Sequence, residues 1–149
     1  MNNRNGSENV DILLVEDNRH DAELTMRALT KSELRNRLHW VEDGVEALDF
    51  VRATGAYTGR DPTQFPKLIL LDLKMPRLNG LDVVRELKSD KRTRPIPVVV
   101  MTSSNQSRDV AESYRLGVNG YVTKPIHFMD LADAISQIAI YWLRVNQVP

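Results

Sequence analysis

Apolar and polar positions along the 149 residues alternate between two periods. Short apolar runs of strand length recur at Val10 to Val15, Leu38 to Val41, Leu68 to Leu71, Pro95 to Met101 and Gly120 to Thr123. Between them the apolar residues fall at helical spacing. Ala22, Leu24, Met26, Leu29 and Leu34 predict a first helix that starts after the N-cap candidate Asn18 and breaks near Asn36. Ala47, Leu48, Phe50 and Val51 mark a second helix behind the Asp43-Gly44 turn, and Leu81, Val83, Val84 and Leu87 a third behind Asn79-Gly80. A mostly polar fourth helix ends at Leu116 with Gly117 as its stop, and a fifth runs from about Asp130 to Val145. Thr54 to Pro66, rich in Gly, Thr, Asp and Pro, is the longest loop.

Strand followed by helix, five times over, predicts an α/β fold: a doubly wound parallel sheet with helices on both faces. The run Leu68-Ile69-Leu70-Leu71 has the unbroken apolar character of a strand covered on both sides. Right-handed crossovers put every strand's carboxyl end on one edge, where open α/β sheets bind their ligands.

The residues at that edge carry the chemistry. Glu16 and Asp17 end the first strand, Asp72 the third, Thr102 the fourth and Lys124 the fifth. The second strand offers only Glu42 and Asp43, which are placed away from the site. Three carboxylates in a small volume repel one another unless a cation sits among them, and hard oxygen ligands suit Mg²⁺. A divalent cation, a lysine and a hydroxyl together suit a phosphoryl group, with Asp72 as the nucleophile.

Composition narrows the field. Formal net charge is zero, from 20 basic and 20 acidic residues, which leaves no electrostatic footprint for nucleic acid or an anionic membrane. The absence of cysteine excludes disulfides, thiolate metal sites and a cysteine nucleophile. His20, His39 and His127 are too scattered for a zinc site and are read as surface residues. The polar stretch Met1 to Glu8 has no signal-peptide core, and no apolar run could span a membrane, so a cytoplasmic protein is expected.

Glu16-Asp17, Asp72 within Asp-Leu-Lys-Met-Pro, Gly80, Thr102 and Lys124-Pro125 together resemble the receiver domain of two-component response regulators, across roughly Val10 to Leu143. The resemblance implies a flavodoxin-like (βα)5 sheet of strand order 2-1-3-4-5. It also implies an aspartate, Asp72, phosphorylated by a partner histidine kinase, and no separate enzymatic activity beyond the chain's own phosphoryl transfer and slow self-dephosphorylation. By the same likeness Asp17, Asp72 and the backbone carbonyl of Lys74 ligate Mg²⁺, or Mn²⁺ in its place, with Glu16 acting mainly through water. Thr102 and Lys124 hold the phosphoryl oxygens, Thr102 and Tyr121 form the switch, and Lys124-Pro125 is a cis peptide. Residues 1–9 are expected to be a flexible tail and residues 10–146 the receiver domain, with no output domain. Asp21 and Glu23 after the Glu-Asp-Asn start, the long loop and the extended last helix with Trp142 look like the small regulators paired with bacterial phytochromes.

Some residues keep two readings. Thr102 serves the phosphoryl group or caps the fourth helix, Tyr121 is switch or plain core, and the Lys74 side chain overhangs the site or faces solvent. Ile138, Ile140, Tyr141 and Trp142 on the last helix form a homodimer surface or belong to the core. A scaffold that works without phosphorylation is the alternative to the phosphoacceptor.

Overall fold

The computed structural model describes residues 10–31, 37–124 and 127–147. Five parallel strands form one sheet: β1 (Ile12–Val15), β2 (Leu38–Val41), β3 (Leu68–Leu71), β4 (Val98–Thr102) and β5 (Gly120–Thr123). Their spatial order is 2-1-3-4-5, as expected. Five helices alternate with them: α1 (Arg19–Lys31), α2 (Gly44–Arg52), α3 (Gly80–Ser89), α4 (Ser107–Leu116) and α5 (Phe128–Ile140).

The unbroken apolar strands have their reason in the layering. Ile12, Leu14, Leu68, Leu70, Val99 and Met101 face α1 and α5, where Ala22, Leu29, Leu131 and Ile135 meet them. Leu13, Val15, Ile69, Leu71, Val98 and Val100 face the other way, onto Phe50 and Val51 of α2 and Val83 and Leu87 of α3. With both faces covered, the central strands are apolar throughout except at Thr102, the last residue of β4, whose hydroxyl reaches the site at the sheet edge. Registers tie the strand ends together: Val15 lies beside Val41 and Leu71, and Thr102 beside Thr123. The residues just past those positions therefore share one edge.

Several boundaries differ from expectation. The fourth strand begins at Val98, because Pro95 and Pro97 cannot donate to the ladder; the Pro97 carbonyl still accepts from the Ile69 amide at 2.9 Å. The last helix starts at Phe128, and its α geometry ends at Ile140 before a single π turn over Tyr141–Val145. The expected tail 1–9, the break near Asn36 and the cis Lys124-Pro125 bond fall on residues outside those described. The long loop is more ordered than its composition suggests. It opens with a 3₁₀ turn (Gly55–Tyr57) and packs Tyr57 and Arg60 onto Phe50.

His39 is a correction: it is half-buried and not a surface residue. Its ring stacks on Phe50 at 4.6 Å, and Nε2 lies 2.9 Å from the Tyr57 hydroxyl, which donates on to Glu46. Burial holds its pKa below the usual histidine value, with the Glu46 carboxylate opposing and Arg60 assisting. His20 and His127 are exposed, as expected.

Candidate phosphoryl-transfer site

The parallel ladder runs one residue past each strand and delivers the site. The Glu16 amide donates to the Val41 carbonyl at 3.1 Å, and the Asp72 amide to the Val15 carbonyl at 3.0 Å. The Lys124 amide donates to the Thr102 carbonyl at 2.7 Å. These backbone bonds set where the side chains start. Trp40 adds a brace that the sequence did not announce: its indole N–H donates to the Glu16 carbonyl at 2.7 Å. Asn18 caps α1 as expected, accepting from the Asp21 amide at 2.9 Å, while its own N–H donates to Glu16 Oε2.

The Asp72 carboxylate is held from both sides. Thr102, fully buried, donates its hydroxyl to Asp72 Oδ1 at 2.8 Å. The Lys124 ammonium donates to Oδ2 at 3.0 Å. The same ammonium donates to Glu16 at 2.7 Å and to Asp21 at 2.8 Å, so its three protons meet three carboxylates. Asp21 is the residue whose role the sequence left out. It lies in the first turn of α1, three residues after the Asn18 cap, and that position beside the end of β1 is the signal that places it over the strand end.

Electrostatics follow from this crowding. Burial pushes the Glu16 carboxyl up to about 7, against the pull of Lys124 and with the Asp72 charge assisting. Burial also acts against the Lys124 charge, yet hydrogen bonds to Asp21 and Glu16 and the charges of Asp72 and Glu16 outweigh it, holding the ammonium above its ordinary range. Both values move up, which favours the neutral form of Glu16 and the charged form of Lys124: Glu16 has one cation for a partner while Lys124 has three anions. Lys124 is firmly charged at neutral pH, and Glu16 is the group that yields.

Glu16, Asp17 and Asp72 each present an oxygen within 4.8 Å of the others. Lys124 and the Asn18 amide already occupy the oxygens of Glu16, whereas Asp17 is exposed. An all-oxygen donor set around an open approach fits a hard divalent cation that keeps several waters.

The loop after Asp72 carries the remaining residues. The Lys74 amide lies 3.3 Å from Asp72 Oδ1, and its side chain is exposed. Gly80, which opens α3, has no room for a side chain. A Cβ there would overlap the Asp72 carbonyl oxygen and lie 2.7 Å from Leu73 Cα. Tyr121 is half-buried and donates its hydroxyl to the Ser104 carbonyl at 2.9 Å, tying β5 to the loop that begins at Thr102. On the last helix Ile138 and Trp142 pack against the core on the α1 side, whereas Ile140 and Tyr141 are 44% and 48% exposed. The supposed four-residue surface thus splits into core and exposed halves. Glu42 and Asp43 stand apart from the Asp72 cluster, as expected; Asp43 caps α2 by accepting from the Glu46 amide.

Residues 12–136 match the response regulator receiver domain. The chain belongs to the response regulator receiver family. The receiver is 41% identical over 138 residues to the probable methanogenesis regulatory protein FilR2 of Methanothrix harundinacea (strain 6Ac), covering 93% of this chain and 86% of that protein. It is 38% identical to response regulator Rcp1 of Synechocystis sp. (strain ATCC 27184 / PCC 6803 / Kazusa), over 93% of this chain and 92% of Rcp1. A crystal structure of Rcp1 holds Mn²⁺ and superposes on this receiver with a TM-score of 0.84, covering 93% of this chain and 97% of that one. The crystal structure of the phosphorylated cyanobacterial phytochrome response regulator RcpA has a TM-score of 0.87 and 37% identity, over 95% of this chain and 99% of that one. No helix among the described residues is long and apolar enough to cross a membrane.

Proposed function

We propose that this receiver takes a phosphoryl group onto Asp72 from a phosphohistidine of a histidine kinase, with a phytochrome as the kinase's sensor. The carrying observation is the Asp72 carboxylate held between the Thr102 hydroxyl and the Lys124 ammonium, beside Glu16 and Asp17. In the transfer an Asp72 oxygen forms a bond to phosphorus as the phosphorus–nitrogen bond to the imidazole breaks. The imidazole leaves with the bonding pair and takes up a proton. Glu16, Asp17, Asp72 and the Lys74 carbonyl would hold Mg²⁺ or Mn²⁺, which neutralises charge on the phosphoryl oxygens. Lys124 and Thr102 offer donors to those oxygens, and the amides after Asp72 lie within reach of them.

The Thr102 hydroxyl is the first link of a switch. As it follows the phosphoryl group, the Ser104 carbonyl moves with the loop, and Tyr121 follows through its hydrogen bond. The product of the reaction is the modified chain itself, so in this reading the protein carries a signal and does not turn over a separate substrate. The likeness to the cyanobacterial phytochrome response regulator RcpA supports the phytochrome assignment. The exposed Ile140 and Tyr141 support a homodimer through the last helix, and light scattering that gives only monomer at tens of micromolar would remove it.

The test is labelling by acetyl phosphate or a cognate kinase in Mg²⁺. Wild-type protein gains one phosphoryl group, and Asp72→Asn gains none. Equal labelling of the variant at another residue would overturn the assignment.

A further inference from the structure

Lys124 is shared among more carboxylates than phosphoryl transfer requires. Glu16 and Asp72 belong to the acidic cluster at the strand ends, but Asp21 reaches the ammonium from the first turn of α1. Its side chain is 36% exposed, against 4% for Glu16 and 11% for Asp72. A cleft of about 160 Å³ between α1 and α5, lined by His20, Asp21, Lys124 and His127 among others, opens onto this pair. Asp21 makes no other side-chain hydrogen bond among the described contacts and is not one of the three residues whose oxygens cluster for a cation.

We infer that Asp21 is a positioning residue that holds Lys124 toward α1 and competes with the phosphoryl oxygens for its protons. The inference rests on the phosphoacceptor reading of Asp72. An ammonium has three protons, and here all three are used. When Asp72 becomes an acyl phosphate, the proton it held turns to a phosphoryl oxygen. The other two stay with Glu16 and Asp21, and the Asp21 bond draws the nitrogen away from the phosphorus. Asp21 also adds one negative charge beside the cation site. It therefore strengthens binding of a divalent cation and weakens binding of a phosphoryl-like anion. A residue that merely supported packing would move both affinities in the same direction.

The experiment compares wild type, Asp21→Asn and Asp21→Glu. Mg²⁺ alone is titrated against tryptophan fluorescence, since Trp40 is hydrogen-bonded to Glu16. Beryllium fluoride, a stand-in for the phosphoryl group, is then titrated at saturating Mg²⁺. In Asp21→Asn the Mg²⁺ Kd rises about three- to tenfold, the size of one lost charge acting on a dication through water-like screening. The beryllium fluoride Kd falls, by about two- to fivefold, as Lys124 is released. Asp21→Glu keeps the charge and returns both constants toward wild type. Both affinities unchanged or both weakened in Asp21→Asn would overturn the inference, as would Asp21→Glu behaving like Asp21→Asn. If wild type binds no beryllium fluoride, the phosphoacceptor reading itself falls, and this inference with it. Wild-type binding with the wrong pattern in the variant removes the inference alone.

Discussion

Glu16→Gln should make the metal-free protein more stable, and by an amount that grows with pH. The Glu16 carboxyl has an ordinary value of 4.5 and lies at about 7 in the folded chain. The folded state therefore binds its proton more tightly than the unfolded state. Stability from this group is complete below 4.5 and is lost as pH rises toward about 7, after which the loss is constant. From about pH 5 to about pH 8 that linkage removes about 2–3 kcal/mol. The neutral amide of the variant has no such slope. It keeps an oxygen for the Asn18 amide, and Lys124 keeps Asp21 and Asp72. Lys124 stays charged throughout, so it cancels from the pH dependence. Urea unfolding in EDTA at the two pH values checks this: the stability of the variant relative to wild type should grow by about 2–3 kcal/mol. A relative stability that is flat or that declines with rising pH would refute the account of Glu16 as a carboxylate strained by burial.

Gly80→Ala should destabilise the fold by about 1–3 kcal/mol in urea unfolding, because the new methyl meets backbone of Asp72 and Leu73 that cannot rotate away. It should also slow labelling of Asp72 by acetyl phosphate. His39→Gln should flatten the acid side of the stability profile. The folded imidazole takes its proton at lower pH than the unfolded one, so wild-type stability drops as pH falls below about 6.5, and thermal unfolding across that range should show the variant losing less. Tyr121→Phe keeps the ring but removes the bond to Ser104; it should cost about 0.5–1.5 kcal/mol in urea unfolding and leave the Mg²⁺ Kd unchanged in a fluorescence titration.

The strand ends were legible before any coordinates, and the reason is local. An apolar run of four residues that stops at a carboxylate states its own period and its own end, as Leu68 to Asp72 does. Alternation with helices forces a parallel sheet, and a parallel sheet gathers its carboxyl ends. Glu16, Asp17, Asp72, Thr102 and Lys124 follow from that logic alone. What the tertiary structure decided depends on contacts between segments far apart in the chain. Asp21 reaches Lys124 across a separation of 103 positions, and Trp40 braces Glu16 from the neighbouring strand. His39 is half-buried because Tyr57 and Phe50, not its own strand, enclose it. Ile138 and Trp142 join the core because α5 packs on α1, which leaves Ile140 and Tyr141 outside. Periodicity assigns a face to each residue. Only packing decides what covers that face and which charges meet there, because both are set by the approach of other elements.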